Sequence, residues 1–261
     1  MAGLITRAAL APVLAGPSLG AEQVTQLVLG ETAGVLDRAG EWFRVSTHGD
    51  GYAGWVHSGY LIETDEGDTE EWRARASGWS EGALVRYGNQ QLWLPLRARV
   101  ELRDQGLVLP DGRSTKPVSG TVRHLEQVIR GARATAPERW ALEHFSGAPY
   151  LWGGVTPWGV DCSGLVQTTF AARGISLPRD SSQQVGCGEP IDLAGVQPGD
   201  LLFFRSESGP GITHVAFAGE ADSLVHATLA CGAVVAESWL PGSRAGGLHE
   251  RLVAVRRLEP R

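Results

Sequence analysis

Three side chains in the second half of the chain carry the parts of a thiol hydrolase: Cys162, His214 and His226. Cys162 stands in Asp161-Cys162-Ser163-Gly164, just ahead of a mostly apolar segment, residues 165–173, that ends at Gly174. This spacing predicts a short helix with a glycine C-cap, and it sets Cys162 at the helix N-terminus. Unpaired N–H groups and the positive end of the helix dipole favour a thiolate there, and the thiolate is the reactive form of cysteine. The base that such a nucleophile needs lies downstream. Residues 213–218 and 223–227 are short apolar runs around a turn signal, which predicts an antiparallel hairpin carrying His214 on one strand and His226 on the other. Their midpoint, residue 220, falls in that turn, so the two imidazoles are expected roughly opposite each other, about 5 Å apart at Cβ. One ring then takes the thiol proton while the other orients it.

Other motifs frame these residues. Pro149-Tyr150-Leu151-Trp152-Gly153-Gly154 precedes the cysteine; Leu177-Pro178-Arg179-Asp180-Ser181 and Gln197-Pro198-Gly199-Asp200-Leu201-Leu202-Phe203-Phe204 follow it, and then come His214-Val215 and His226-Ala227. In this order and spacing the six pieces resemble the NlpC/P60 cysteine peptidases, papain-like enzymes that cut peptidoglycan stem peptides. The resemblance covers about half of the chain, from roughly residue 130 onward. It implies Cys162 as nucleophile, His214 as general base and His226 as the third polar member. It also implies that the Tyr150 hydroxyl, with the Cys162 backbone N–H, faces the developing oxyanion, where a donor is often worth ~3 kcal/mol of barrier height.

At 261 residues and 43% hydrophobic content, the chain can bury one large core or two to three small ones. Its formal charge of −6 argues against broad binding to nucleic acid or to an anionic membrane. One methionine, 35 glycines and nine tryptophans describe a loop-rich, β-heavy protein. No run reaches the ~18 apolar residues of a membrane span. Residues 4–20 are mildly apolar but interrupted by Pro12 and Pro17, a poor secretory signal. Cys162, Cys187 and Cys231 form no CxxC pair and no metal-like cluster with histidine; Cys187 and Cys231 read as buried small apolar residues in preference to a disulfide. Trp152 and Trp158 read as structural.

Short strand-like runs separated by turns fill residues 1–65, beginning at Gln26 and ending in Gly51-Tyr52-Ala53-Gly54-Trp55-Val56, which predicts a small barrel. That last run resembles the ending of bacterial SH3 domains. After an acidic spacer, residues 63–71, strand-like runs recur at 82–87, 92–94, 99–102 and 107–109, and they look like a second, degenerate SH3-like unit over 66–120. From 121 onward, apolar residues at Val122, Leu125, Val128 and Ile129 have helical spacing, and a second helical piece follows Pro137. Strands around 200–205, 214–218, 223–227, 233–237 and 251–257 complete the range 121–261. The expected class is α+β: a papain-like domain, its cysteine helix packed on a sheet, preceded by two small SH3-like β-barrels.

This arrangement resembles the subgroup of the family that acts on small murein peptides with a free N-terminal L-alanine. The resemblance implies hydrolysis of the γ-D-glutamyl–diamino acid bond, lysine and diaminopimelate both being open, with no metal or cofactor. It also implies substrate contacts from Glu31 and Tyr52 in the first unit and from Asp161, Ser163, Asp180 and Ser181 beside the nucleophile, because a buried ammonium left unpaired would cost several kcal/mol. Asp180 also suits a helix N-cap. The expected setting is cytoplasmic recycling of wall fragments, the rival a secreted remodelling hydrolase. Two rival functions remain: an amidase or acyltransferase on the same scaffold, and a non-catalytic wall-binding module.

Overall fold

The computed structural model describes residues 2–259; Met1, Pro260 and Arg261, at the ends of the first and last expected ranges, lie outside the described residues. The chain divides into two compact units, Met1–Ile129 and Arg130–Arg261.

In the first unit, strands β1 (Ala2–Thr6), β2 (Leu10–Leu14), β3 (Gln23–Val28), β4 (Thr32–Ala39), β5 (Trp42–Thr47), β6 (Ala53–His57) and β7 (Leu61–Asp65) form one sheet in the order β3-β2-β6-β5-β4-β1-β7. Every strand sends a side chain into a single core that contains Leu4, Val13, Leu27, Ala33, Phe43, Val45, Val56 and Leu61. A sheet that surrounds its own core must curl, so this is the expected small barrel. Two strands, β1 and β2, precede the first expected run. The acidic spacer is in fact β7 followed by helix α1 (Glu66–Arg75). Asp65 caps that helix by accepting from the Asp68 N–H at 2.8 Å; Glu66 and Asp68 occupy the first turn and Arg73 and Arg75 the last, the placement that the helix dipole favours. Its one large apolar side chain, Trp72, is buried and donates from Nε1 to the Gly30 carbonyl at 2.8 Å.

Strands β8 (Gly78–Tyr87), β9 (Gln90–Leu94), β10 (Arg99–Arg103), β11 (Gly106–Val108) and β12 (Ser114–His124) make a second sheet within the same unit. β8 pairs with β10 as well as with β12, and β11 joins those two, so the pairing closes on itself. β12 overturns the helix expected from residue 121: Val122 pairs with Ser80 and His124 with Gly78, and helix α2 (Leu125–Arg133) starts after them.

The second unit continues with α3 (Pro137–Phe145), a short hairpin of β13 (Val155–Thr156) and β14 (Gly159–Val160), α4 (Cys162–Ala172) and α5 (Ser181–Gln184). Its antiparallel sheet contains β15 (Glu189–Pro190), β16 (Leu201–Arg205), β17 (Ile212–Ala218), β18 (Ser223–Thr228), β19 (Ala233–Ser238) and β20 (Leu252–Arg257) in the order β15-β20-β16-β17-β18-β19. Alternate residues face opposite sides. Phe217 turns toward α4, with its ring 6.1 Å from Phe170, while Leu202, Phe204, Ala216, Ala218 and Leu224 meet Trp239, Leu248 and Val255 on the other face. α4 is buried along nearly its whole length, which fixes the position of its first residue, Cys162. Among the described residues no helix is long and apolar enough to cross a membrane.

Candidate active site

Cys162 is the first residue of α4 because Asp161 ends the preceding strand and caps the helix. The Asp161 backbone is extended, and its Oδ1 accepts from the Gly164 N–H at 2.7 Å. Its Oδ2 accepts from the Gly153 N–H at 2.8 Å, tying the Trp152-Gly153-Gly154 loop to the helix start. Arg179, only 1% exposed, spans both carboxylate oxygens at 3.0 and 2.6 Å and also donates to Ser163 Oγ at 2.7 Å. Gly164 is needed for close approach: a Cβ there would stand 2.1 Å from the Gly154 carbonyl oxygen. With the oxygens of both side chains bonded and both residues largely buried, Asp161 and Ser163 brace the helix start.

The backbone N–H of Val215, the residue directly after His214, donates to Cys162 Sγ, as does that of Ser163, so the sulfur sits against the strand that carries His214. The thiol is pushed up to about 12, chiefly by burial and then by the negative charge of Asp161, while the two N–H donors and Arg179 act in the opposite direction. A rise from 9.0 to about 12 is worth about 4 kcal/mol, whereas a helix end supplies at most ~2 kcal/mol. Desolvation therefore outweighs the dipole, and the expected resting thiolate gives way to a neutral thiol. His214 moves the other way, down to about 3, by burial first and then by repulsion from His226 and Arg251. At neutral pH thiol and imidazole are both uncharged.

His214 Nε2 lies 2.8 Å from His226 Nδ1, and His226 Nε2 lies 2.7 Å from Glu237 Oε1, which also accepts from Arg244. The two histidines are not directly opposite. The register pairs Phe217 with Val225 and Ala218 with Leu224, and Ala221 and Asp222 form the turn at positive φ, so the hairpin centres one residue later than expected. His226 is thus a diagonal neighbour of His214, still close enough to bond, with ring centroids 5.0 Å apart. Tyr150 and both histidines line a cavity of about 380 Å³, together with Glu237, Arg244 and Arg251. The Tyr150 phenol is pushed up to about 12, first by burial and then by the neighbouring Cys162 and Asp161, so it stays protonated. Its hydroxyl bonds to no other group among the described residues and remains an available donor.

The other expected residues fall in different surroundings. Asp180 occupies the N-cap position of α5, yet its side chain does not cap the helix; Ser181 beside it is buried. Glu31, in the first unit, accepts from the Val28 N–H at 3.0 Å and is ion-paired with Arg97. Tyr52, also in the first unit, is half-buried, its N–H donating to Thr47 Oγ1 at 2.9 Å. Trp152 and Trp158 are not core residues: they are 58% and 47% exposed. Cys187 and Cys231 are free, the first half-exposed and the second exposed, against the expectation of buried residues. Sequence reasoning missed Glu237 and the buried side chain of Arg179. Arg179 lay inside a quoted motif, where a basic residue amid small polar ones was a usable signal; Glu237 at the end of an apolar strand carried none.

A buried thiol at a helix start, seated against a sheet strand whose histidine is bonded to a second, defines the papain-like thiol hydrolase architecture. Residues 147–249 match the NlpC/P60 family and residues 13–61 the bacterial dipeptidyl-peptidase SH3 domain, so the chain carries an NlpC/P60 domain and a bacterial SH3 domain. A Bacillus cereus protein named gamma-D-glutamyl-L-lysine dipeptidyl-peptidase is 28% identical over 209 residues, 73% of this chain and 62% of the relative. A Bacillus subtilis protein of the same name is 47% identical over 70 residues, 27% of this chain and 24% of the relative. The alignments thus span less than two thirds of these relatives. The crystal structure of an NlpC/P60 family protein from Bacillus cereus shares the fold across 99% of this chain and all of its own, with a TM-score of 0.80 at 21% identity.

Proposed function

We propose that the chain is a cysteine endopeptidase that hydrolyses the γ-D-glutamyl–diamino acid bond of small murein peptides with a free N-terminal L-alanine, releasing L-Ala-γ-D-Glu. The observation that carries this reading is the hydrogen bond from Val215 N–H to Cys162 Sγ, which seats the nucleophile against the strand of a histidine already bonded to a second one. The names of the two Bacillus relatives support the bond and substrate class.

In the proposed cycle His214 takes the Cys162 proton as sulfur attacks the γ-carbonyl carbon. Negative charge then develops on the carbonyl oxygen, where the Tyr150 hydroxyl and the Cys162 backbone N–H donate. The His214 imidazolium gives its proton to the departing amine, leaving a thioester. Water, deprotonated by His214, attacks the thioester and releases the γ-acid and the thiol. The uncharged resting pair suits this order, because no charge exists until substrate is in place.

Asp161, Ser163, Asp180 and Ser181 are the substrate-binding candidates next to the nucleophile, and Glu31 and Tyr52 those proposed for the L-alanine amine. Residues 66–120 are proposed as a second, divergent SH3-like unit, and the cytoplasm as the site of action on trimmed wall fragments, with no nucleic-acid or membrane partner. Incubation with defined muropeptides, read by mass spectrometry, tests the function. L-Ala-γ-D-Glu is expected as product, and Cys162→Ala is expected to yield none; unchanged cleavage by that variant rejects the site. N-acetylated tripeptide should show kcat/KM lowered at least about 100-fold, since the amide that replaces the ammonium cannot ion-pair with a carboxylate; equal turnover removes the amine contact.

A further inference from the structure

We propose that Glu237 is a positioning residue that, acting through His226, decides which ring nitrogen of His214 carries the hydrogen and so leaves Nδ1 bare to accept the thiol proton. Its kinetic consequence rests on the function proposed above; its structural part does not.

The argument follows protons along the chain Glu237–His226–His214. An ionised carboxylate can only accept, so His226 Nε2, 2.7 Å from Glu237 Oε1, must carry a hydrogen. A neutral imidazole has only one such hydrogen, which leaves His226 Nδ1 as a lone pair. That lone pair is 2.8 Å from His214 Nε2, so His214 Nε2 must be the donor in turn. His214 is then left with Nδ1 bare, the one ring nitrogen able to accept the Cys162 proton. Reversing the order of hydrogens along the same atoms would put a hydrogen on His214 Nδ1 and silence the base. Nothing in the two histidines alone prefers one order over the other; the carboxylate does.

The supporting structure is built for this. Val235 pairs directly with His226, and Glu237 stands two residues further on the same face of β19, the diagonal position that reaches the ring. Arg244 holds the carboxylate from the other side and balances its charge. Burial keeps both rings below their ordinary pKa, which is what the one-hydrogen count requires. Arg244, Arg251, Glu207 and Tyr150 are the other charged or titratable side chains of the cavity wall. When the thiol proton arrives at His214 Nδ1, the positive ring keeps its Nε2–H···Nδ1 bond to His226. No proton needs to move on to Glu237.

The test uses the full chain labelled with 15N-histidine, its wild-type form beside Glu237→Leu and Glu237→Gln. The wild-type spectrum is expected to show both His214 and His226 with hydrogen on Nε2 and a bare Nδ1. In Glu237→Leu, which lacks the acceptor, the reversed order should become populated. Iodoacetamide alkylation of Cys162 and kcat on the tripeptide should then fall by at least about tenfold, with KM within about twofold. Glu237→Gln keeps an acceptor oxygen and should recover most of both rates. Hydrogen on His226 Nδ1 in the wild type overturns the proposal whether or not a variant folds, and so does a Glu237→Leu variant with unaltered tautomers or alkylation. Failure to cleave any murein peptide would instead remove the proposed function, because the tautomer and alkylation readouts need no substrate.

Discussion

Tyr150 shows how one side chain's surroundings set its use. Burial, and then the neighbouring Cys162 and Asp161, keep its phenol protonated far above neutral pH, so it can donate and cannot serve as a base. A Tyr150→Phe change should therefore lower kcat about 100-fold, the equivalent of ~3 kcal/mol, with KM changed less than about twofold. Alkylation of Cys162 should stay as in the wild type, since the base is intact. Unchanged kcat would take Tyr150 out of the oxyanion site. The tyrosine, the cysteine and both histidines were legible in the chain because their neighbours form compact local motifs. The resting charge of the thiol was not: the helix end is a local feature, but the desolvation that outweighs it comes from everything packed around α4.

The start of α4 depends on a buried ion pair more than on the helix's own sequence. Removing one partner of such a pair strands the other charge in the interior, at about 3–5 kcal/mol. Arg179→Met should accordingly destabilise the second unit by that amount in urea unfolding. Adding Asp161→Asn should return part of the loss, because no unpaired carboxylate then remains. Additive losses in the double variant would show that the two residues act independently. Elements with strong local signals, such as α3 after Pro137 and β16 in its apolar run, were predicted from the sequence. β12 was not, because its residues are mostly exposed and polar, with Pro117 at an irregularity in the pairing, so no alternation marks it. Helical spacing of Val122 and Leu125 also straddles its end, and pairing with β8 overrides that local preference. α1 was hidden in the same way, since a charged segment with one buried tryptophan reads as a spacer until its partner is known.

At the scale of the molecule, the neutral thiol and imidazole tie stability to pH from both sides. His214 titrates near 6.5 when unfolded and about 3 when folded, so its contribution is present above 6.5 and lost as pH falls toward 3. Cys162 titrates at 9.0 unfolded and about 12 folded, so its contribution is present below 9 and lost as pH rises from 9 toward 12, by about 1.4 kcal/mol per unit. Cys162→Ala removes only the alkaline limb. The stability advantage of the wild type over that variant should shrink by about 1 kcal/mol between pH 8 and 10 in chemical denaturation. Parallel curves would mean that the folded thiol titrates like a free one.

The residue types, their order and the short-range turns were settled by the chain itself, because a cap, a helix face or a hairpin needs only neighbours a few positions away. That is why Cys162 at a helix start, the two histidines on a hairpin and the strands of residues 26–56 could be placed without coordinates. Folding alone decided that Arg179 meets Asp161, 18 residues away, that Glu237 meets His226, 11 away, and that the cysteine rests as a thiol. Those outcomes depend on the register between strands and on how much water the packed elements exclude, neither of which is written in local spacing.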